Sequence, residues 1–174
     1  SARLEGRRGN EAEARLRAGR ARELADRLGA RLVGVWSMMA LGDLELALGN
    51  PGAAIGHYEE LERTLRGLGV HDADLSPAPE LIEALIRVGS TDEARTRLPE
   101  VEARARAKGQ PWARARAARC RALLAEDGED VAAFQDALEL HAATPDAFEA
   151  ARTRLAYGAR LRRSRQRVRA REQL

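Results

Sequence analysis

The 174-residue chain is 44% apolar and 33% charged, a balance that excludes an intrinsically disordered chain and supplies enough apolar surface for a sizeable core. Aromatic residues make up only 3%, too few, beside the abundant Ala, Leu, Arg and Glu, for an all-β sandwich. The formal net charge of +3 is unevenly spread: residues 1–31 carry +4 and residues 146–174 carry +6, which leaves −7 for the middle, so basic ends flank an acidic waist.

In chain order, hydrophobic periodicity and helix punctuation predict helices near 10–29, 32–48, 51–69, 77–88, 91–108, 111–126, 129–142, 146–163 and 166–174, with strands nowhere. Asn50-Pro51 and Ser76-Pro77 each supply an N-cap followed by a proline at the first helical position. Ser90 with Glu93 and Asp146 with Glu149 have the spacing of capping boxes, the second just after the Thr144-Pro145 break. Val70–Ser76, rich in His and Asp, is expected to be a loop between hairpins. In the last segments, Ala151, Leu155, Gly158 and Leu161 are expected to form the inward stripe, with Val168 facing inward after Ser164.

Four segments place small and large residues at nearly the same offsets after a helix-ending turn. In the clearest, Leu41-Gly42 is followed by Gly49-Asn50, Pro51, Ala54, Tyr58 and Leu61; Gly42 and Ala54 would let two antiparallel helices approach while Tyr58 fills the gap. A second runs Leu81-Ile82, Leu85, Gly89, Ala94, Leu98 and Val101. A third begins at Tyr157-Gly158 and Leu161 and reaches Ala170 and Leu174. The weakest passes through Gly128, Phe134, Ala137 and Leu138. This pattern resembles the tetratricopeptide repeat, with somewhat longer helices. The resemblance implies an all-α, tetratricopeptide-like α-solenoid of about four antiparallel helical hairpins, forming one helical-repeat domain over residues 1–174. A start at Ser1 without Met and a stop inside a repeat suggest a segment of a longer protein.

The stretch from Leu138 to Arg163, including His141-Ala142-Ala143-Thr144-Pro145-Asp146-Ala147-Phe148-Glu149-Ala150-Ala151 and Leu155-Ala156-Tyr157-Gly158-Ala159-Arg160-Leu161, resembles one in large ATP-binding LuxR-type transcription regulators of actinobacteria. There it lies in helical repeats shortly before the helix-turn-helix domain. Pro79-Glu80-Leu81-Ile82-Glu83-Ala84-Leu85-Ile86-Arg87-Val88-Gly89, with Asp92-Glu93-Ala94-Arg95, is similar to an earlier part of the same region. The resemblance implies a sensor or self-association arm, with ATP hydrolysis and DNA binding residing in other domains. This chain carries no GxxxxGK[ST] phosphate loop.

Groups able to carry catalysis are sparse, and no enzyme activity and no cofactor is expected. His57 sits beside Tyr58 on a helix, where a packed or solvated histidine is the simpler account. His71 with Asp72 and Asp74 falls short of the ligand count that zinc requires. Cys120 has no neighbouring base and no partner for an internal disulfide, which suits a small buried residue in a reducing, cytoplasmic compartment. The acidic turn Glu126-Asp127-Gly128-Glu129-Asp130 lacks the alternating spacing of a calcium loop. No apolar run of membrane-spanning length occurs.

Carrying over the register of tetratricopeptide stacks puts Trp36, Met39, Asp43, Glu83, Arg87, Arg162 and Arg163 on a concave binding face. The partners this implies are other protein domains, a second copy of the chain or a small effector. Direct contact with nucleic acid through the Arg-rich C-terminal helices is the alternative reading.

Overall fold

The computed structural model describes residues 1–126 and 128–173. Helix accounts for 79% of the described residues, with no strand among them, so the all-α expectation is met. The helices are α1 (Ala2–Arg7), α2 (Glu11–Leu28), α3 (Arg31–Ala47), α4 (Pro51–Gly67), α5 (Ala78–Arg87), α6 (Thr91–Lys108), α7 (Pro111–Leu124), α8 (Asp130–Ala142), α9 (Ala147–Arg163) and α10 (Arg167–Glu172). All but α1 fall on the segments read from the sequence. α1 is short and lacks an apolar stripe of its own, Leu4 being exposed. It is held instead by tertiary contact: Gly6 packs near Leu44 and Ala14, and Arg3 Nε donates to Asp43 at 3.0 Å.

One turn geometry recurs at a spacing of 40 residues. Gly9, Gly49 and Gly89 all adopt positive φ, from +80° to +89°. In each case the next residue's N–H reaches back to a carbonyl five residues earlier, Asn10 to Glu5, Asn50 to Glu45 and Ser90 to Leu85, each at 2.9 Å. This is a Schellman closure, and a residue without Cβ enters its left-handed position at no steric cost. Five residues after each glycine stands a fully packed alanine, Ala14, Ala54 or Ala94. The turn after α9 has the same hydrogen bond, Gln166 N–H to Leu161 at 2.9 Å, and the same buried alanine, Ala170. In place of glycine it holds Arg165, at φ +61°.

The chain divides into two compact units, Ser1–Ala94 and Arg95–Leu174. In the first, α3 packs against α1, α2 and α4, and α4 against α5. Val35, Met38, Met39, Leu44 and Leu46 of α3 meet Ala14, Ala18 and Ala25 of α2 and Ala54, Tyr58, Leu61 and Leu65 of α4, all buried. Burial of each large side chain contributes about 1.5–3 kcal/mol. The crossing of α3 and α4 depends on Gly42, where any Cβ would collide with the Tyr58 ring.

In the second unit α7 packs on α8 and α9, and α9 on α10. A cluster of Ala122, Phe134, Tyr157, Leu161 and Ala170 forms its apolar core. The Phe134 and Tyr157 rings stack with centroids 4.9 Å apart and planes 20° apart, an arrangement worth about 0.5–1.5 kcal/mol beyond burial. The buried face of α9 is Glu149, Thr153, Tyr157, Gly158 and Leu161, a correction to the expected stripe. Ala151 is exposed and Leu155 is 58% exposed. The cause is tertiary: a buried arginine of α7 needs polar partners, so α9 turns its Glu149 and Thr153 inward rather than its aliphatic residues. Val168 likewise points outward, 73% exposed, while Ala170 is the inward residue of α10. Leu174 and Asp127 lie outside the described residues.

Ser76 accepts from the Ala78 N–H at 3.3 Å, but α5 begins one residue later than expected, with Pro77 at the N-cap. Asn50 does not use its side chain to cap α4. Its amide donates to Glu45 instead, at 3.0 Å.

Candidate functional site

The residues expected on a binding face divide by environment. Trp36 is 52% exposed on α3. Met39, three residues on, is buried in the core because α3 is packed on several sides. Asp43 is a brace between three helices, accepting from Arg3 at 3.0 Å and from the Tyr58 hydroxyl at 3.1 Å. Glu83 is buried and pairs with Arg87 one turn later, at 2.5 Å. Arg87 also donates to the Leu46 carbonyl at 2.9 Å, tying α5 to the end of α3. Arg162 and Arg163 belong to the second unit and are solvent-exposed. The structure therefore joins Glu83 to Arg87 and gives Met39, Asp43 and Glu83 structural work, leaving Trp36, Arg162 and Arg163 facing solvent.

The remaining sequence candidates also have defined settings. Cys120 is fully buried. His71 is exposed beside an Asp72–Asp74 turn in which Asp72 accepts the Asp74 N–H at 2.9 Å. Asp130, from the acidic turn, is buried; it accepts the Gly128 N–H at 3.2 Å and the Arg160 Nε at 2.9 Å. Arg160 also donates to the Ala125 carbonyl at 3.0 Å, so it clamps this turn. Among the described residues no group of three His, Cys, Asp or Glu is placed to hold a metal.

A polar network that sequence reasoning did not find lies between α7, α8 and α9. Arg119 is wholly buried, and its Nη1 donates to Glu149 at 2.7 Å. His141 Nε2 is 3.0 Å from the Thr153 hydroxyl, and Thr153 is itself fully buried. Arg152 approaches Glu149 at 4.0 Å. Burial alone would raise the Glu149 pKa, but the positive charges of Arg119, Arg152 and Arg116 outweigh it and hold the carboxyl well below its ordinary 4.5. Burial lowers the His141 pKa from its ordinary 6.5, and the charge of Arg119 lowers it further; Glu149 and Asp146 pull the other way. The His141 Nδ1 is buried without a hydrogen-bond partner among the described residues. These groups tie α7, α8 and α9 together.

Only half of the expected capping box at Asp146 forms. Asp146 accepts the Glu149 N–H at 3.2 Å, whereas the Glu149 side chain turns to Arg119. The sequence does not single out Arg119, since α7 also carries Arg114, Arg116 and Arg121 among its alanines.

Around the turn between α2 and α3, large apolar side chains face solvent: Leu24 (47% exposed), Leu28 (70%), Leu32 (47%), Val33 (47%) and Trp36 (52%). α2 buries Ala14, Ala18 and Ala25 and α3 buries most of its length, while these large apolar side chains stay exposed around the turn between them. No helix is long and apolar enough to cross a membrane among the described residues. In comparisons with known proteins, the chain matches no family model, no curated protein and no solved structure.

Proposed function

We propose that this chain is a non-catalytic interaction module, a tetratricopeptide-like α-solenoid that provides the signal-sensing or self-association arm of a cytoplasmic LuxR-type transcription regulator. The local likeness of residues 79–95 and 138–163 to such regulators supports the family. The recurring glycine turn and buried alanine support the repeat. The observation that carries the interaction role is the group of solvent-facing side chains around the α2–α3 turn, Leu24, Leu28, Leu32, Val33 and Trp36, since large apolar side chains left exposed together mark a contact site. Its partner would be another domain of the same regulator, a second copy of the chain or a small effector. Light-scattering mass across a concentration series, for the wild type and for Leu28→Ser/Trp36→Ser, tests this. Association that weakens in the variant while helicity is retained supports the reading. A wild type that stays monomeric and does not bind the regulator's other domains argues against it.

A second reading, nucleic-acid contact through the C-terminal helices, is favoured by one observation. Arg162, Arg163, Arg165, Arg167 and Arg171 are exposed, and none has a carboxylate at ion-pair distance among the described residues. Duplex binding across a salt series separates the two. Tight binding at physiological salt with a steep salt slope favours nucleic acid, and weak binding lost near that salt favours the interaction module.

A further inference from the structure

We propose that the cleft between the end of α9 and α10 binds the polyphosphate group of a small ligand through Arg162, Arg167 and Arg171; this deepens, and rests on, the small-effector form of the interaction-module reading. A cavity of about 460 Å³ is lined there by these three arginines and Ala170. Ala170 is buried and forms a floor. Arg167 and Arg171 stand one turn apart on α10, so both present to the same side, and Arg162 comes from the last turn of α9.

Three arginines meet in one cleft that no acid lines among the described residues. Several arginines elsewhere in this chain do face a carboxylate: Arg15 faces Glu45, Arg22 Glu60, Arg119 Glu149, Arg121 Glu102 and Asp136, and Arg160 Asp130. The three arginines of the cleft have no such partner among the described residues. Like charges that converge without counter-charge repel one another, and an oxyanion between them relieves the repulsion. Guanidinium groups match phosphoryl oxygens by paired N–H donors, which makes phosphate the anion this set fits best.

The turn between α9 and α10 departs from the chain's other left-handed turns. Arg165 holds a left-handed φ of +61° at the position that Gly9, Gly49 and Gly89 fill in the equivalent turns. A non-glycine residue there is strained.

Isothermal titration of inorganic tripolyphosphate into the 174-residue chain at physiological salt tests the site. The expected result is saturable one-to-one binding that Arg162→Ala/Arg171→Ala weakens about tenfold or more. The control Arg63→Ala/Arg66→Ala removes the same charge from exposed positions on α4 and should leave affinity unchanged. Replacing all three cleft arginines with lysine keeps the charge but loses paired donors, and should also weaken binding. Circular dichroism confirms that each variant is folded. No saturable heat, equal losses in cleft and control variants, or undiminished binding by the lysine variant would overturn the proposal. A duplex that binds where tripolyphosphate does not would overturn it in favour of nucleic acid. None of these results bears on the mass measurement at the α2–α3 strip, so the site can fail while the module reading stands.

Discussion

Gly42→Ala sets two physical effects against each other, and the structure decides the sign. Gly42 lies inside α3, where alanine is favoured over glycine by about 1 kcal/mol. Propensity alone therefore predicts a stabilised protein. An added Cβ, however, would lie under 3.0 Å from three atoms of the Tyr58 ring, Cε1, Cδ1 and Cζ. The ring cannot swing aside, because Tyr58 is 0% exposed and its hydroxyl is held by Asp43 at 3.1 Å. Overpacking of this kind costs about 1–3 kcal/mol, and with three ring atoms overlapped the upper end applies. The net loss is then about 2 kcal/mol, a fall of about 4–8 °C in Tm for a chain of this size. Gly56 is the matched control. It lies on the exposed side of α4 with no atom within 4 Å of an added Cβ, so Gly56→Ala should stabilise by about 0.5–1 kcal/mol. Urea unfolding followed at 222 nm reads both. A Gly42→Ala protein at least as stable as the wild type would refute the helix crossing described here. Tyr58→Leu in the Gly42→Ala background should recover part of the loss, with a coupling of about 0.5–3 kcal/mol.

Three further outcomes follow from the second unit. Glu149→Gln strands the fully buried charge of Arg119 and should cost about 3–5 kcal/mol; Glu149→Leu combined with Arg119→Met should cost less than Glu149→Gln alone, and a larger loss would mean the pair is not the reason. His141 has a folded pKa below its ordinary 6.5, so the unfolded chain takes up a proton that the folded chain refuses. Its contribution is complete above pH 6.5 and is lost as pH falls below that value. Stability measured from pH 7.5 to 5 should decline in the wild type and be flatter in His141→Gln; parallel curves would exclude His141 as the cause. Arg165→Gly relieves the left-handed strain at φ +61° and should stabilise by about 0.5–1 kcal/mol, read as a raised urea midpoint; a lowered midpoint would show that the Arg165 side chain holds the turn.

By itself the sequence determined where the helices run and how the turns close. Those features depend on local chemistry: apolar spacing of 3.6 residues, proline at Pro51 and Pro111, and glycine at the left-handed positions. The packing triplet Gly42, Ala54 and Tyr58 was also legible, because a small residue facing a large one at fixed offsets has few other uses. Tertiary structure decided what local spacing could not. α1 exists because α2 and α3 cover it. Met39 and Glu83 are buried because α3 and α5 are packed on more than one face, although their spacing also suited an open surface. The inward stripe of α9 is set by Arg119, whose charge lies 30 positions away in sequence from Glu149. A buried cation demands a carboxylate from whichever helix faces it, and that demand overrides the aliphatic residues Ala151 and Leu155. For the same reason the Arg119–Glu149–Thr153–His141 network had no signature in the sequence: it depends on which faces of three helices meet, which only the packed chain specifies.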